Sequence, residues 1–254
     1  MKNMGVMAFI KYGIKTIRCN GVMFFIYRKS AKNVIKQRLM TADKTVVGES
    51  YENSFEDIYK LNMWGTGESR SGSGSYVMFT KHIRRALPRF WKKYSIKTFL
   101  DAPCGDFNWM RLVDKTGIEY IGCDIVSDVI ENNIKLYSNQ NVNFLHLDIT
   151  KDELPKVDMI LCKDCLQHLS HENVIRALGN FKKSGARYLL VTSYPLTHKN
   201  WDIKDGGYRP LNLCIEPFNL QAPLEEIKEG MFGGEVDRTE YLFALENYTN
   251  HESK

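Results

Sequence analysis

The chain has 254 residues, 35 of them Lys or Arg and 30 Asp or Glu, giving a net charge of +5, and 43% are hydrophobic. This length allows one large domain, or one domain with an extension, and the apolar fraction supports a buried core and excludes a disordered chain. No uncharged apolar run approaches the roughly 18 residues of a membrane-crossing helix, the best being residues 4–10 and 19–27, so a helical integral membrane protein is excluded, as are collagen-like repeats and acidic tails.

Charge is unevenly spread. Residues 1–50 hold ten basic and two acidic residues, a net +8, while the other 204 carry −3. Phe9, Ile10, Ile14, Ile17, Met23, Phe24, Phe25 and Ile26 alternate with those basic residues. The pattern predicts a basic helical N-terminal extension over 1–50, ahead of a folded domain over 51–254. An ordinary docking helix with a solvated basic face is the plainer reading. Peripheral contact of residues 1–30 with an acidic membrane surface is the other. No RNP, KH or zinc-finger pattern is present, so DNA is not an expected partner and RNA stands only as an alternative. The six cysteines, at 19, 104, 123, 162, 165 and 214, read as reduced thiols. Lys11, Lys15 and Arg18 interrupt any secretory apolar core. The expected location is the cytoplasm, at or away from a membrane surface.

In chain order, Ser30 caps an expected helix over 31–40. A Gly/Ser loop at 65–75 leads to Tyr76, Val77, Phe79, Ile83 and Leu87, spaced as one face of a helix with Ser75 as its N-cap. Pro88 is expected to end or kink it. Five strands follow, at 98–101, 119–125, 142–149, 157–163 and 188–192, with helices at 109–116, 127–138 and 171–183. A long loop at 197–220 precedes a strand-like run near the C-terminus. Strands alternating with helices define an α/β fold, a doubly wound, mostly parallel sheet. Its ligands bind beyond the C-terminal strand ends, where the strand order reverses.

Those strand ends carry polar residues that packing does not require. Asp101 ends the first strand and opens a turn containing Gly105, and Asp124 ends the second. Asp148 lies near the end of the third, and Lys163, Asp164, Gln167 and His168 follow the fourth. A glycine in the first turn lets backbone approach a ligand. An acid about 20 residues on suits a ribose diol, and an acid after the third strand can receive the adenine amine. Together they describe an adenosine site. A dinucleotide would want G-x-G-x-x-G at a helix start. Here the turn reads DAPCGDFNW, with Gly105 alone, and Asp106 would repel a phosphate. S-adenosylmethionine has no phosphate and fits better, its ammonium meeting Asp101 or a backbone carbonyl.

At this point residues 98–192 resemble a class I S-adenosylmethionine-dependent methyltransferase, through D-x-x-C-G-D-F at 101–107, Asp124, and Leu147-Asp148-Ile149. The family's first turn is richer in glycine, and Pro103, Asp106 and Phe107 depart from it. Residues 62–75, 101–110, 163–170 and 202–220 further resemble a bacterial subgroup that accompanies surface-polysaccharide or small-molecule tailoring genes. The resemblance implies a Rossmann-like methyltransferase fold, with S-adenosylmethionine as cofactor and S-adenosylhomocysteine as product. The cofactor residues it implies are Trp64, Ser71, Gly72 and Ser75 in the Gly/Ser loop, and Asp101, Ala102, Pro103, Cys104 and Gly105 in the first turn. Asp124, Ile125, Asp148, Ile149 and Lys163 complete them.

Transfer to a hydroxyl needs a base. His168 is the first candidate, against the plainer reading of a histidine that only bonds backbone at a helix start. Asp164 and His198 are the alternatives. On the acceptor side the expected residues are Arg70, Asp106, Trp109, Tyr194, Asp202, Arg209 and Asn212. The guanidinium of Arg209 would fork onto a phosphate or carboxylate, or else form a structural salt bridge. Cys162-x-x-Cys165 falls inside an apolar strand with no second pair at zinc spacing, so no metal is expected. The expected activity is methyl transfer to a small polar acceptor. A hydroxyl of a sugar, or of a phosphorylated or nucleotide-activated surface-glycan precursor, comes first, with net positive charge favouring an anionic one. A macromolecular (RNA) methyltransferase, an NAD(P)-dependent oxidoreductase and a non-catalytic module with the same fold are the alternatives.

Overall fold

A computed structural model describes residues 51–64, 67–229 and 237–248. The expected N-terminal extension, the helix over 31–40 and the membrane contact of residues 1–30 lie outside the described residues. Seven strands form one sheet: β1 (Thr98–Asp101), β2 (Glu119–Asp124), β3 (Val142–His146), β4 (Met159–Cys162), β5 (Tyr188–Ser193), β6 (Glu225–Lys228) and β7 (Thr239–Ala244). Their order is β3-β2-β1-β4-β5-β7-β6. β1 to β5 are mutually parallel, and β7 runs antiparallel between β5 and β6. Among the described residues four helices accompany the sheet: α1 (Tyr51–Lys60), α2 (Lys81–Lys93), α3 (Ser127–Tyr137) and α4 (His171–Lys183).

The central strands are buried on both faces, which is why they read as continuous apolar runs. Side chains alternate between two cores. Leu100, Ile160, Leu189 and Val191 face α4, through Val174, Ala177, Leu178 and Phe181. Phe99, Met159, Leu161 and Leu190 face α2, through Ile83, Leu87, Phe90 and Trp91. The strand order reverses between β1 and β4, so the crevice beyond their C-terminal ends is the expected ligand position.

Four local expectations are corrected. The helix after the Gly/Ser loop starts at Lys81, behind Thr80, and Ser75 closes a 3-10 turn (Ser73–Ser75) instead of capping it. Residues 76–80 are held in turns, with the Val77 amide donating to Glu68 Oε1 at 2.8 Å and the Thr80 hydroxyl donating back to the Tyr76 carbonyl at 3.1 Å. Second, α2 runs through Pro88 to Lys93, because buried residues on both sides of the proline pack on one sheet face. Third, the segment after β1 forms only a 3-10 turn, Met110–Leu112, and not a helix over 109–116. Fourth, β6 was not foreseen; only Ile227 of its four residues is buried, so it lacks a clear apolar alternation. No helix among the described residues is long and apolar enough to cross a membrane.

Candidate active site

The first turn is built around Asp124. Its Oδ2 accepts from the Gly105 amide at 3.0 Å and its Oδ1 from the Val126 amide at 3.1 Å, tying the β1 turn to the end of β2. Gly105 has φ +53°, and a Cβ there would lie 2.4 Å from Ser71 Oγ. Ser71 belongs to a strap formed by residues 67–77, crossing above the turn. Its hydroxyl accepts from the Asp106 amide at 2.9 Å, the Arg70 amide donates to Asp106 Oδ2 at 3.0 Å, and Asn108 Nδ2 donates to the Ser75 carbonyl at 3.0 Å. Helix α1 closes the other side. Glu56 Oε1 accepts from the Ser127 amide at 3.1 Å, which docks α1 on the N-terminus of α3.

Two cavities share one wall. The first lies at the crevice beyond β1, β2 and β4. Asp101, Pro103, Cys104, Gly105 and Trp109 line it from the first turn, and Asp124 and Ile125 from β2 and its C-terminal end. Ile149, Lys163 and Asp164 line it beyond β3 and β4, and Trp64, Arg70, Ser71 and Ser75 from the strap and the residues before it. The second cavity is lined by Gly72, Phe79, Gln167, Tyr194, Tyr208 and Arg238, among others. Trp64, Ser71, Asp164 and His168 border both.

His168 sits at this junction. Its Nδ1 lies 2.7 Å from the Gly207 carbonyl. A carbonyl only accepts, so Nδ1 carries the hydrogen and Nε2 of the neutral ring keeps a lone pair. Burial pushes the imidazole pKa below 6.5, against the Gly207 hydrogen bond and Asp164. The ring lies between Trp64 (centroids 4.8 Å apart) and Tyr208 (5.6 Å).

The carboxylates fall into two kinds. Burial raises Asp101 to about 7, opposed by the Tyr120 hydroxyl, which donates to Oδ2 at 2.7 Å, and by Lys115. Burial also raises Asp124 to about 6, opposed by its backbone amides. Asp164 is the opposite case. Burial raises it, but Lys163 and Arg238 outweigh burial and hold it well below the usual carboxylate range. Lys163 contacts Asp164 Oδ2 and lies 3.3 Å from Glu229 Oε1; Arg238 lies 3.6 Å from Asp164 and 2.7 Å from Glu229. Behind them Glu240, fully buried, accepts from the Thr192 hydroxyl at 3.0 Å, and burial pushes its carboxyl well above the ordinary range. Asp164 is therefore too acidic for a general base near neutrality, which corrects that expectation.

Other expected residues lie elsewhere. Asp148 folds into its own turn, its Oδ1 accepting from the Thr150 amide at 2.8 Å, and Leu147 and Ile149 form the cavity wall there. Ala102 is buried beneath the turn, and Asp106 staples the strap from outside the cavity. Arg209 is fully buried and donates from Nη1 to the carbonyls of Leu169 (2.5 Å) and Gln167 (3.3 Å). Asp202 accepts from the His171 amide at the start of α4 (2.7 Å), and Asn212 donates to the Thr197 carbonyl (2.9 Å). These three hold the loop at 197–220 together and touch neither cavity. His198 is exposed and lines neither cavity. Sequence reasoning missed Phe55 and Tyr59 on α1, Tyr208 and Arg238. Of these, Tyr208 alone carried a signal, inside the DGGYRPLNL run. Cys162 and Cys165 are free thiols, Cys162 fully buried in β4.

Comparison with known proteins agrees with this geometry. Residues 100–185 match the family model of a methyltransferase domain. No curated protein sequence matches the chain significantly. Among solved structures, the chain is similar to an N-methyltransferase (NodS) of Bradyrhizobium japonicum in complex with S-adenosyl-L-homocysteine. The TM-score is 0.57 at 14% identity, over 74% of this chain and 98% of that one. It is also similar to the magnesium protoporphyrin IX methyltransferase of Synechocystis with bound S-adenosylhomocysteine, with TM-score 0.55 at 13% identity, over 77% and 100%. A third likeness is to a didemethyltoxoflavin methyltransferase of Burkholderia thailandensis, with TM-score 0.53 at 11% identity, over 79% and 92%. The fold is the Rossmann-like methyltransferase fold, and the first cavity occupies its switch-point crevice.

Proposed function

We propose that this protein transfers a methyl group from S-adenosylmethionine to a hydroxyl of a small acceptor, a sugar hydroxyl first, with His168 as general base. The observation that carries this reading is His168 itself, on the wall shared by both cavities, with Nδ1 bound to the Gly207 carbonyl and a lone pair left on Nε2. The first cavity suits the cofactor. Asp124 would take the ribose hydroxyls, having lone pairs beyond those it gives to backbone amides. Leu147 and Ile149 would flank the adenine, and Asp101 would meet the ammonium. A dinucleotide suits it poorly, because no α-helix follows the first turn and so no helix N-terminus faces a pyrophosphate.

When bound, S-adenosylmethionine supplies an electrophilic methyl on a sulfonium and departs as S-adenosylhomocysteine. The protein aligns the acceptor, excludes water and takes one proton. Trp64 and Tyr208 hold the imidazole, and Nε2 accepts the hydroxyl proton as the oxygen–methyl bond forms. Methylation of nitrogen in the neighbouring structures concerns those proteins; here a base with an oriented lone pair favours an acceptor that must lose a proton.

The test is calorimetric titration with S-adenosylhomocysteine and, in parallel, with NAD. Binding of the former alone supports the reading, and binding of NAD alone overturns it. His168→Ala is expected to keep S-adenosylhomocysteine affinity within about twofold while lowering turnover by roughly 10²–10⁴-fold.

A further inference from the structure

We propose that Asp164 selects the acceptor: its carboxylate accepts a hydrogen bond from the hydroxyl next to the one His168 deprotonates, so that the acceptor is an uncharged ring with neighbouring hydroxyls. This deepens the function proposed above and rests on it.

Three observations carry it. The first is position. Asp164 follows β4 with φ +52°, a left-handed conformation that, besides Gly, mainly Asn and Asp adopt. Its amide donates to Thr192 Oγ1 at 2.7 Å, and the side chain stands 22% exposed on the wall between the cavities, four residues before His168. Its Oδ2 is engaged by Lys163 and Arg238, while Oδ1 accepts from Gln167 Nε2 at 3.3 Å. An ionised carboxylate offers about four acceptor sites, so Oδ1 keeps capacity for a hydroxyl. Lys163 and Arg238 also hold this carboxylate ionised, so it receives a hydrogen bond without removing a proton.

The second is charge. Lys163 and Arg238 are matched by Asp164 and Glu229, and burial pushes the Glu240 carboxyl behind them upward. Among the described residues, the wall of the second cavity carries no lysine and no arginine other than the paired Arg238. A phosphate or carboxylate pressed against Asp164 would meet like charge in a partly desolvated site where, among the described residues, that wall holds no further cation to offset it. The positive charge that favoured an anionic acceptor belongs to residues 1–50.

The third is shape. Trp64, Phe79, Tyr194, Tyr208 and the His168 ring put flat faces around the cavity. Such faces suit the C–H face of a saturated ring or the π-face of an aromatic one.

The test follows S-adenosylhomocysteine formation with uncharged methyl hexopyranosides of differing hydroxyl stereochemistry, with catechol, and with hexose 6-phosphates. Hexopyranosides and catechol separate the saturated from the aromatic source. An uncharged probe is expected to exceed its phosphate by at least about tenfold in kcat/KM. On the best probe, removing the neighbouring hydroxyl (the deoxy sugar, or phenol) or making Asp164→Asn should each cost roughly ten- to a hundredfold. Both changes together should cost no more than either alone. If Asp164→Asn does not fold, Asp164→Glu, which keeps the charge but moves the oxygens, enters the same comparison. Preference for phosphorylated probes, losses that multiply, or no turnover of any uncharged probe by a protein that binds S-adenosylhomocysteine each overturn the proposal. Failure to bind S-adenosylhomocysteine at all overturns instead the function on which it rests.

Discussion

Asp101→Asn should make the protein more stable and bind its cofactor less well. Asp101 is 2% exposed, and burial moves it from an ordinary 3.8 to about 7. A folded-state value above the unfolded one means that the folded protein holds the proton more tightly. The resulting penalty is absent below pH 3.8, grows between 3.8 and 7, and is complete above 7. Three units at 1.36 kcal/mol each give about 4 kcal/mol at pH 8, and at pH 5 about 1.5 kcal/mol has developed. Asparagine removes the charge and keeps an oxygen for the Tyr120 hydroxyl. Urea unfolding of the cofactor-free variant should therefore show a gain of about 4 kcal/mol at pH 8 and about 1.5 at pH 5. Calorimetry at pH 8 should show S-adenosylhomocysteine affinity falling roughly ten- to a hundredfold as a charged contact is lost. A gain of equal size at both pH values, or no gain, would refute the burial argument. A gain with unchanged affinity would refute the role of Asp101 at the cofactor.

Two further outcomes separate structural from chemical residues. Arg209→Ala should lower stability by about 3 kcal/mol, since a buried side chain and its bonds to the turn holding His168 are lost, while S-adenosylhomocysteine affinity stays within about twofold; thermal denaturation and calorimetry measure the two. With cofactor saturating, the acid limb of the kcat profile should fall below pH 6.5, because burial lowers His168 and its neutral form is the active one; a limb above 6.5, or its survival in His168→Ala, would assign it to another group.

The strand ends were legible because a parallel sheet buried on both faces leaves apolar runs, and the polar residue that stops each run stands at the crevice. Asp101, Asp124, Lys163 and His168 follow this pattern and line the first cavity. Asp148 obeys the same pattern, and a short turn engages its Oδ1. The loop at 197–220 misled for a related reason. Its polar residues looked available to a ligand, yet a long segment folded against the core has its own backbone groups to satisfy. Asn200 shows this, with Nδ2 donating to the carbonyls of Asn212 and Glu216 at 2.9 and 2.8 Å. The Gly/Ser loop was expected over the cofactor, but its anchoring, like the roles of helix α1 and Arg238, was invisible because it depends on contacts distant in sequence. Glu56 meets Ser127 across 71 positions and Ser71 meets Asp106 across 35.

The strap also explains the departure from a glycine-rich first turn. In a dinucleotide site the glycines admit a pyrophosphate and bring a helix close to the strand. Here the space over Gly105 is taken by Ser71 Oγ, so the one glycine that remains is demanded by the protein's own chain. The residues that replaced the others have work of a different kind. Asp106 anchors the strap through the Arg70 amide, and Phe107 packs in the core against Tyr120 and Phe144. The same strap continues to Gly74, where a Cβ would lie 2.4 Å from Asp164 Oδ2 and whose carbonyl accepts from Lys163 at 3.3 Å. One segment thus fits against the first turn at Gly105 and against the Asp164 carboxylate. The two cavities therefore share a wall from a single piece of backbone, and a Cβ at either contact would crowd a side chain it packs against, Gly105 being further favoured by its positive φ.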